Sequence, residues 1–209
     1  MESAVRLTFF NSVVVISYGG FRAMGQGDCP MKAPIKDQEE VTKLLDFAER
    51  MERPAMYRFL LALSFDYGLR PMELAGLDSS WFRTTELRIP IGHSKRKSGR
   101  SLTIEPSIHE MLAAHMQGRT GRVFLNVQGN PFTPRGISDA FQRLYRLADI
   151  EGSCYSGRRS LATKMVDRGD SIFIIQKVLG HAHVNTTMEY VSVTDNMMRR
   201  ALRGAAFIG

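Results

Sequence analysis

The chain has 209 residues, enough for one sizeable core or one domain with a short extension, and its 44% apolar and 23% charged residues are ordinary for a globular protein. Its two cysteines, Cys29 and Cys154, are too few and too isolated for a disulfide framework or a zinc site, and they favour a reducing cytoplasm. A net charge of +7, from 28 Lys and Arg against 21 Asp and Glu, is typical of nucleic-acid-binding proteins, although many other proteins share it.

Residues 1–34 are interpreted as an N-terminal extension of unknown role. Within it, residues 7–16 are largely apolar. They are too few to span a bilayer and lack a small-residue cleavage site, so we predict a buried strand there and no membrane association. Met31 precedes the first strongly helical pattern and is a second candidate for the start of translation.

Helical spacing of apolar residues begins soon after this segment. Asp37 is a suitable N-cap for the first helix, with Glu40 at the capping-box position. Residues 55–67 are apolar on several faces and are therefore predicted to form a central helix. A shorter helical pattern follows over residues 69–77, with a proline in its first turn.

Two strands are predicted next, at residues 87–91 and 101–104, joined by a polar segment with a Ser98-Gly99 turn. The remaining elements are predicted to be helices. One helix covers residues 106–116, and a second begins after its N-cap Thr133. Four more follow at residues 158–168, 171–179, 186–190 and 195–202, and Asn185 is the predicted cap of the helix at 186–190. The sequence thus predicts a mainly α protein with a small antiparallel β-sheet (α+β). Residues 35–194 form its main domain, and residues 195–209 form a C-terminal helix or tail.

Two segments contain basic residues suited to binding phosphate. Arg70 begins a helix, where its planar fork and the helix N-terminus could hold a phosphate, with Glu73 on the same face to orient it. A surface ion pair between the two is the alternative. The run Ser94-Lys95-Arg96-Lys97 lies on the predicted hairpin, where a lysine could donate a proton to a leaving oxygen. A solvated charge run is the commoner case.

Two further segments carry residues that are unremarkable alone. Arg158 lies in Tyr155-Ser156-Gly157-Arg158, and His181 follows Leu179-Gly180. A histidine after such a glycine is usually a capping or packing residue, and Tyr190 alone would be a core or interface aromatic. His181 and His183 could suggest a metal pair, but no carboxylate or cysteine cluster accompanies them, so a metal site is not predicted.

Taken in chain order, these segments resemble the tyrosine recombinase (phage integrase) family. The family pattern is an arginine in G-L-R-x-x-E-L, a β-hairpin lysine, H-x-x-R, L-G-H and a tyrosine nucleophile, and the resemblance covers about residues 37–200. It assigns the catalytic positions to Arg70, Lys95, Tyr155, Arg158, His181 and Tyr190. Lys97 is a rival to Lys95 for the lysine position.

The sequence departs from the family pattern at Tyr155, where the family has histidine, and at Arg159, where histidine is also common. Tyrosine titrates near pH 10 and is a poor proton acceptor at neutral pH. We therefore expect cleavage that is reduced but not abolished, with Tyr155 positioning the phosphate or Tyr190.

The resemblance implies a site-specific recombinase acting on double-stranded DNA. In such an enzyme Arg70, Arg158 and His181 hold the scissile phosphate, Tyr190 forms a 3′-phosphotyrosyl bond, and Lys95 protonates the leaving 5′ oxygen. Neither metal nor cofactor is implied. The expected location is the cytoplasm of a bacterium, close to the nucleoid, with the gene carried by the bacterium or a phage on a mobile element.

The resemblance also implies an assembly. Most family members carry an N-terminal helical domain that clamps DNA, and about 35 residues are too few for one, as in the short fimbrial phase-variation recombinases. A partner recombinase or accessory protein could complete the clamp. The implied working form is a homo-tetramer on DNA, in which the helix at residues 195–202, with Met197, Met198 and Leu202, docks on a neighbour or folds back on its own domain.

Three other functions compete with this one. The first is a catalytically weakened DNA-binding accessory or regulatory protein on the same scaffold, which Tyr155 and the missing clamp domain favour. The second is a type IB topoisomerase, which uses the same chemistry to relax supercoils. The third is a basic helical protein that binds an acidic partner, and the ordered motifs argue against it.

Overall fold

The computed structural model describes residues 36–93, 99–188 and 195–205. The α-helices in these ranges are α1 (Gln38–Glu49), α2 (Pro54–Phe65), α3 (Pro71–Gly76), α4 (Pro106–Met116), α5 (Pro134–Leu147), α6 (Ser156–Arg168), α7 (Ile172–Leu179), α8 (Val184–Met188) and α9 (Asp195–Ala205). The strands are β1 (Glu86–Ile89) and β2 (Arg100–Thr103). This confirms the predicted class, mainly helical with a small antiparallel sheet. The interpretation of residues 1–34 lies outside the described residues.

The N-terminus of α1 forms as its sequence predicts. The Asp37 carboxylate accepts a hydrogen bond from the backbone N–H of Glu40 at 2.8 Å, and the Glu40 carboxylate accepts one from the backbone N–H of Asp37 at 3.2 Å. This reciprocal capping box satisfies N–H groups that have no partner within the helix. Leu44 and Ala48 then lie on the face that is buried against α2.

Helix α2 is the centre of the core, as its apolar faces predict. It packs against α1, α4 and α6, and its residues Phe59 and Leu63 are fully buried. The helix ends at Phe65, two residues earlier than predicted. Gly68 then turns the chain with a positive φ of 59°, and a Cβ there would lie 3.2 Å from side-chain atoms of Leu161 and Leu179. Only glycine takes this backbone conformation at such close packing without strain.

The two strands form an antiparallel pair in which Leu87 lies opposite Leu102, and Ile89 opposite Arg100. Leu87, Ile89 and Leu102 are buried. Each strand begins one residue earlier than predicted, and β1 ends at Ile89 because Pro90 follows and cannot donate to the ladder. Residues 94–98, which join the strands, lie outside the described residues.

The last helices differ from the prediction mainly at their ends. Helix α6 begins at Ser156, two residues before the predicted start. Asn185 was predicted to cap α8 and lies inside that helix instead, so this prediction was wrong. The backbone N–H of Thr186 already bonds to the carbonyl of His183 at 3.2 Å, so the first turn closes before Asn185 can act as a cap.

Within the described ranges, none of the helices is both long enough and apolar enough to cross a bilayer.

Candidate active site

The C-terminal end of α7 is surrounded by arginines. Three successive backbone carbonyls there accept hydrogen bonds from three different guanidinium groups: Val178 from Arg100, Leu179 from Arg158 at 2.6 Å, and Gly180 from Arg70 at 3.1 Å. The last carbonyls of a helix have no partner within the helix and carry the negative end of its dipole. The end of α7 therefore holds together cations that come from α3, α6 and the sheet.

Arg158 is the most deeply buried of these cations, with an exposed fraction of 2%. Its Nη1 donates to the carbonyl of Gly68, and its Nη2 donates to the carbonyl of Leu179 and lies 3.0 Å from Nε2 of His181. These contacts fix the plane of the guanidinium group. Arg158 therefore connects α6, the α2–α3 turn and the residues that follow α7.

The hydrogen bonds of His181 assign its tautomer. A guanidinium nitrogen can only donate, so Nε2 of His181 accepts from Arg158, and the proton of the neutral ring is on Nδ1. That nitrogen lies 2.8 Å from Oγ1 of Thr187, which is fully buried and accepts the bond. Thr187, which was not predicted as a site residue, therefore orients the His181 ring. A hydrogen bond at one ring nitrogen of a histidine commonly sets which nitrogen carries the proton.

Arg70 and Glu73 form the pair that their spacing predicts. Glu73 Oε2 accepts from the backbone N–H of Arg70 at 2.8 Å, and Glu73 Oε1 lies 3.2 Å from Nη1 of Arg70. The Glu73 side chain is fully buried, while that of Arg70 keeps 20% of its surface exposed. The pair is therefore not a solvated surface contact. Glu73 holds Arg70 at the edge of the protein, where Arg70 can still reach a ligand.

Arg100 is a site residue that the sequence analysis missed. It is the first residue of β2, and its side chain is only 6% exposed. Its Nη2 donates to Glu73 Oε2 at 2.7 Å and to the carbonyl of Gly68 at 3.3 Å. Burial lowers the pKa of Arg100 and Glu73 opposes this effect, yet a guanidinium group remains charged in either case. Glu73 is thus shared between two arginines.

Among the described residues of this cluster, cations outnumber carboxylates. Arg70, Arg100 and Arg158 are positively charged, and Glu73 is the carboxylate that two of them contact. Guanidinium groups that outnumber the carboxylates beside them are suited to an anion that has several oxygens, such as a phosphate, and Arg70 is partly exposed.

A profile of the phage integrase family matches residues 36–197, which include this whole cluster. The chain belongs to the phage integrase family. The tyrosine recombinase XerC of Lactobacillus delbrueckii subsp. bulgaricus is 28% identical over 149 residues, covering 66% of this chain and 50% of that protein. The chain therefore spans about half the length of the curated relatives that it matches.

Solved structures of phage integrase proteins share the fold. The catalytic domain of the bacteriophage HP1 integrase matches with a TM-score of 0.65 at 18% identity, over 84% of this chain and 97% of that domain. The Tn1549 transposon integrase, in complex with circular intermediate DNA, matches with a TM-score of 0.69 at 16% identity, over 86% and 69% of the two chains. The fold is thus that of integrase catalytic domains.

The other predicted positions of the phage integrase pattern differ in how far the structure describes them. Tyr155 is the N-cap of α6, one turn before Arg158, and its side chain is 43% exposed. Its backbone carbonyl accepts from the N–H of Arg159 at 3.0 Å. Lys95, its rival Lys97, and Tyr190 lie outside the described residues. The structure therefore brings together Arg70, Arg158 and His181 of the six predicted positions.

Proposed function

We propose that this chain is the catalytic domain of a site-specific tyrosine recombinase, which breaks and rejoins double-stranded DNA through a phosphotyrosyl bond. The observation that supports this most strongly is the convergence of Arg70, Arg158 and His181 at the end of α7. These side chains come from separate parts of the chain, and phosphoryl transfer on a DNA diester needs such a group of donors around one phosphate. Such an enzyme, whether encoded by a bacterium or by a phage, would act on DNA in the bacterial cytoplasm.

Arg70 and Arg158 would hold the two non-bridging oxygens of the scissile phosphate, where negative charge grows during attack. Preorganised donors at such a position each contribute about 3 to 4 kcal/mol to the transition state. Nε2 of His181, now an acceptor from Arg158, would become a further donor to the phosphate if the ring takes up a second proton. Glu73 and Thr187 would keep Arg70 and His181 in place.

In the proposed reaction the phenolic oxygen of Tyr190 attacks the phosphorus. A bond forms between that oxygen and phosphorus while the phenolic proton passes to solvent, the bond from phosphorus to the 5′ oxygen breaks, and Lys95 gives the leaving oxygen its proton. The products are a 3′-phosphotyrosine and a free 5′-hydroxyl. A 5′-hydroxyl from the partner strand then attacks the phosphotyrosine and releases Tyr190. No nucleotide hydrolysis is needed, because the covalent bond keeps the energy of the broken diester.

Covalent trapping on DNA tests this proposal. Duplexes with a randomised central segment are incubated with the protein, and DNA that stays attached in detergent is sequenced to find a preferred site. That site is then rebuilt with a nick beside the cleaved bond, so that a short 5′-hydroxyl fragment diffuses away and the cleavage cannot reverse. We expect a detergent-resistant adduct. DNA binding without an adduct on any sequence would instead support the accessory protein, and relaxation of supercoils by a monomer would support a topoisomerase.

Tyr155 gives a prediction about rate. Replacing it with histidine should speed adduct formation at pH 7 by about 10-fold or more, because a positioned general base commonly contributes 10²- to 10⁴-fold. The partly exposed position of Tyr155 at the N-cap of α6 leaves room for an imidazole ring. The measurement is the single-turnover rate on the nicked duplex for the parent and Tyr155→His.

Tyr155→Phe is the matched control, since it keeps an aromatic ring but supplies no proton acceptor. It should be no faster than the parent. A Tyr155→His variant that cleaves no faster, or an equal gain in Tyr155→Phe, would contradict a missing base at this position.

We also propose that four copies assemble on DNA and that α9 makes the contact between them. Met198 and Leu202, one turn apart on α9, are 48% and 73% exposed. Among the described residues, the extensive contacts between elements do not involve α9. Exposed apolar residues such as this described pair are suited to contact with a neighbouring copy.

The double variant Met198→Ser, Leu202→Ser should lose the largest DNA complexes and strand exchange. Its rate of adduct formation on the nicked duplex should stay within about threefold of the parent rate. Mass photometry of the complexes and a two-duplex exchange assay measure the two effects. Arg199→Gln, a change at a neighbouring exposed position of α9, should leave both unchanged. A lower melting temperature in the double variant would instead show that α9 covers its own domain.

A further inference from the structure

Arg100 is held in one position by acceptors from separate parts of the chain. Its side chain is 6% exposed. It donates to three different acceptors, the carbonyls of Gly68 and Val178 and the carboxylate of Glu73. These acceptors lie before α3, at the end of α7 and on α3. One guanidinium group therefore connects β2 to two of the elements that carry the phosphate-binding residues.

The residues around Arg100 leave little freedom for its side chain. Gly180 has a positive φ of 61°, and a Cβ there would lie 2.8 Å from Cδ of Arg100. The aliphatic part of Arg100 thus passes directly over the glycine that precedes His181. Any larger residue at position 180 would displace Arg100, and loss of Arg100 would leave the turn before His181 without this support.

The buried carboxylate of Glu73 also depends on Arg100. Its Oε2 is 2.7 Å from Nη2 of Arg100, a shorter contact than the 3.2 Å between its Oε1 and Nη1 of Arg70. A buried carboxylate that loses one of its cations is strongly destabilised. Without Arg100, Glu73 would draw the Arg70 guanidinium inward, away from the edge of the protein where a phosphate can bind.

We propose that Arg100 is a positioning residue for the phosphate site: through Glu73 and the end of α7, it holds Arg70 and the turn before His181 in the geometry that binds the scissile phosphate. This inference rests on the proposed function. In this proposal Arg100 acts through its contacts with Glu73 and Val178. Lysine cannot replace it, because an ammonium group on a flexible chain cannot reach the three acceptors with the same fixed fork.

The first test compares Arg100→Lys with Arg53→Lys in the full chain. Arg53 is a matched control, since its Nη1 also donates to a backbone carbonyl, that of Leu125, at 2.6 Å, but it lies at the N-cap of α2. With saturating protein on the nicked duplex, Arg100→Lys should form adduct about 10- to 100-fold more slowly than the parent, as small displacements in a reactive site do. Arg53→Lys should stay within about threefold.

A second measurement separates positioning from general loss of structure. The rate of each protein is measured on the ordinary phosphodiester and on duplexes in which a methyl group replaces one or the other non-bridging oxygen. The methyl group removes the negative charge that the arginines must hold. The rate of adduct formation by the parent, divided by that of Arg100→Lys, should therefore fall by at least about fivefold on one of the two methyl-substituted duplexes. Sulfur in place of the leaving 5′ oxygen relieves the need for a general acid, and the ratio should not change.

The folded fraction of the variant lowers its rate by the same factor on every substrate. A change in the ratio of the parent rate to the variant rate between substrates is therefore independent of how much of the variant is folded. If Arg100→Lys does not fold, Glu73→Gln replaces it in the same comparison, since it weakens the same link and should give the same response to the methyl group. Equal rates for the Arg100 and Arg53 variants, or a ratio that is the same on all substrates, would overturn the inference. If the parent forms no adduct, the proposed function itself fails, and this inference fails with it.

Discussion

The variant Tyr190→Phe should form no covalent adduct on the nicked duplex, while its affinity for DNA stays within about twofold of the parent. The phenolic oxygen is the only atom lost, and it is the atom that would bond to phosphorus. Removal of a nucleophile in a comparable covalent mechanism costs about 10⁶-fold in turnover. Denaturing electrophoresis of labelled DNA measures the adduct, and a filter-binding assay measures the affinity.

Tyr67→Phe is a matched control for the loss of a hydroxyl group elsewhere in the domain. The Tyr67 hydroxyl accepts a hydrogen bond from the backbone N–H of Glu105 at 3.2 Å, which is a structural contact. This variant should form adduct at nearly the parent rate. An adduct that survives in Tyr190→Phe would show that another residue is the nucleophile, and peptide mapping of the adduct would then identify it.

The variant Arg158→Lys should slow adduct formation by at least about 100-fold and should also lower stability. Lysine keeps the charge but cannot bond at once to the carbonyls of Gly68 and Leu179 and to Nε2 of His181. Loss of one donor at a developing oxyanion commonly costs 10²- to 10³-fold. Each lost hydrogen bond to a charged group costs about 1.5 to 3 kcal/mol of the free energy of unfolding.

The control for this variant is Arg168→Lys on the same helix. Arg168 is exposed and pairs with Asp170 at 2.6 Å, a surface contact whose loss changes little. Its rate and its melting temperature should match those of the parent. If Arg158→Lys loses stability but keeps its rate per folded molecule, then Arg158 supports the fold and does not bind the phosphate.

Several features of this protein are determined by local sequence alone. Asp37 and Glu40 close the capping box at the residues where their spacing predicts it, because both partners lie within one turn. The predicted strands at residues 87–91 and 101–104 and the apolar faces of α2 similarly indicate the sheet and the core. The ordered motifs also point to the phage integrase family, which the match over residues 36–197 confirms. The catalytic roles of all six positions stay predictions: Arg70, Lys95, Tyr155, Arg158, His181 and Tyr190.

Arg100 was not predicted as a site residue. In the sequence it closely follows the basic run at residues 94–97, and such runs are usually solvated. Strand alternation could have found it, because Arg100 lies two residues before the buried Leu102 and so shares its inward face. Alternation predicts that the side chain points inward, but it does not identify the acceptors that make burial of a guanidinium group possible.

The sequence by itself determined the helices, the sheet, the family and the pairing of Arg70 with Glu73, since each of these depends on residues close together or on the order of motifs. Only the tertiary structure decided that Arg70, Arg100 and Arg158 meet at three successive carbonyls at the end of α7. The family resemblance implies that Arg70 and Arg158 share one phosphate, but neither it nor the local sequence places Arg100 beside them. The three arginines meet because the packing of α3, α6, α7 and β2 places unpaired carbonyls and one buried carboxylate between them.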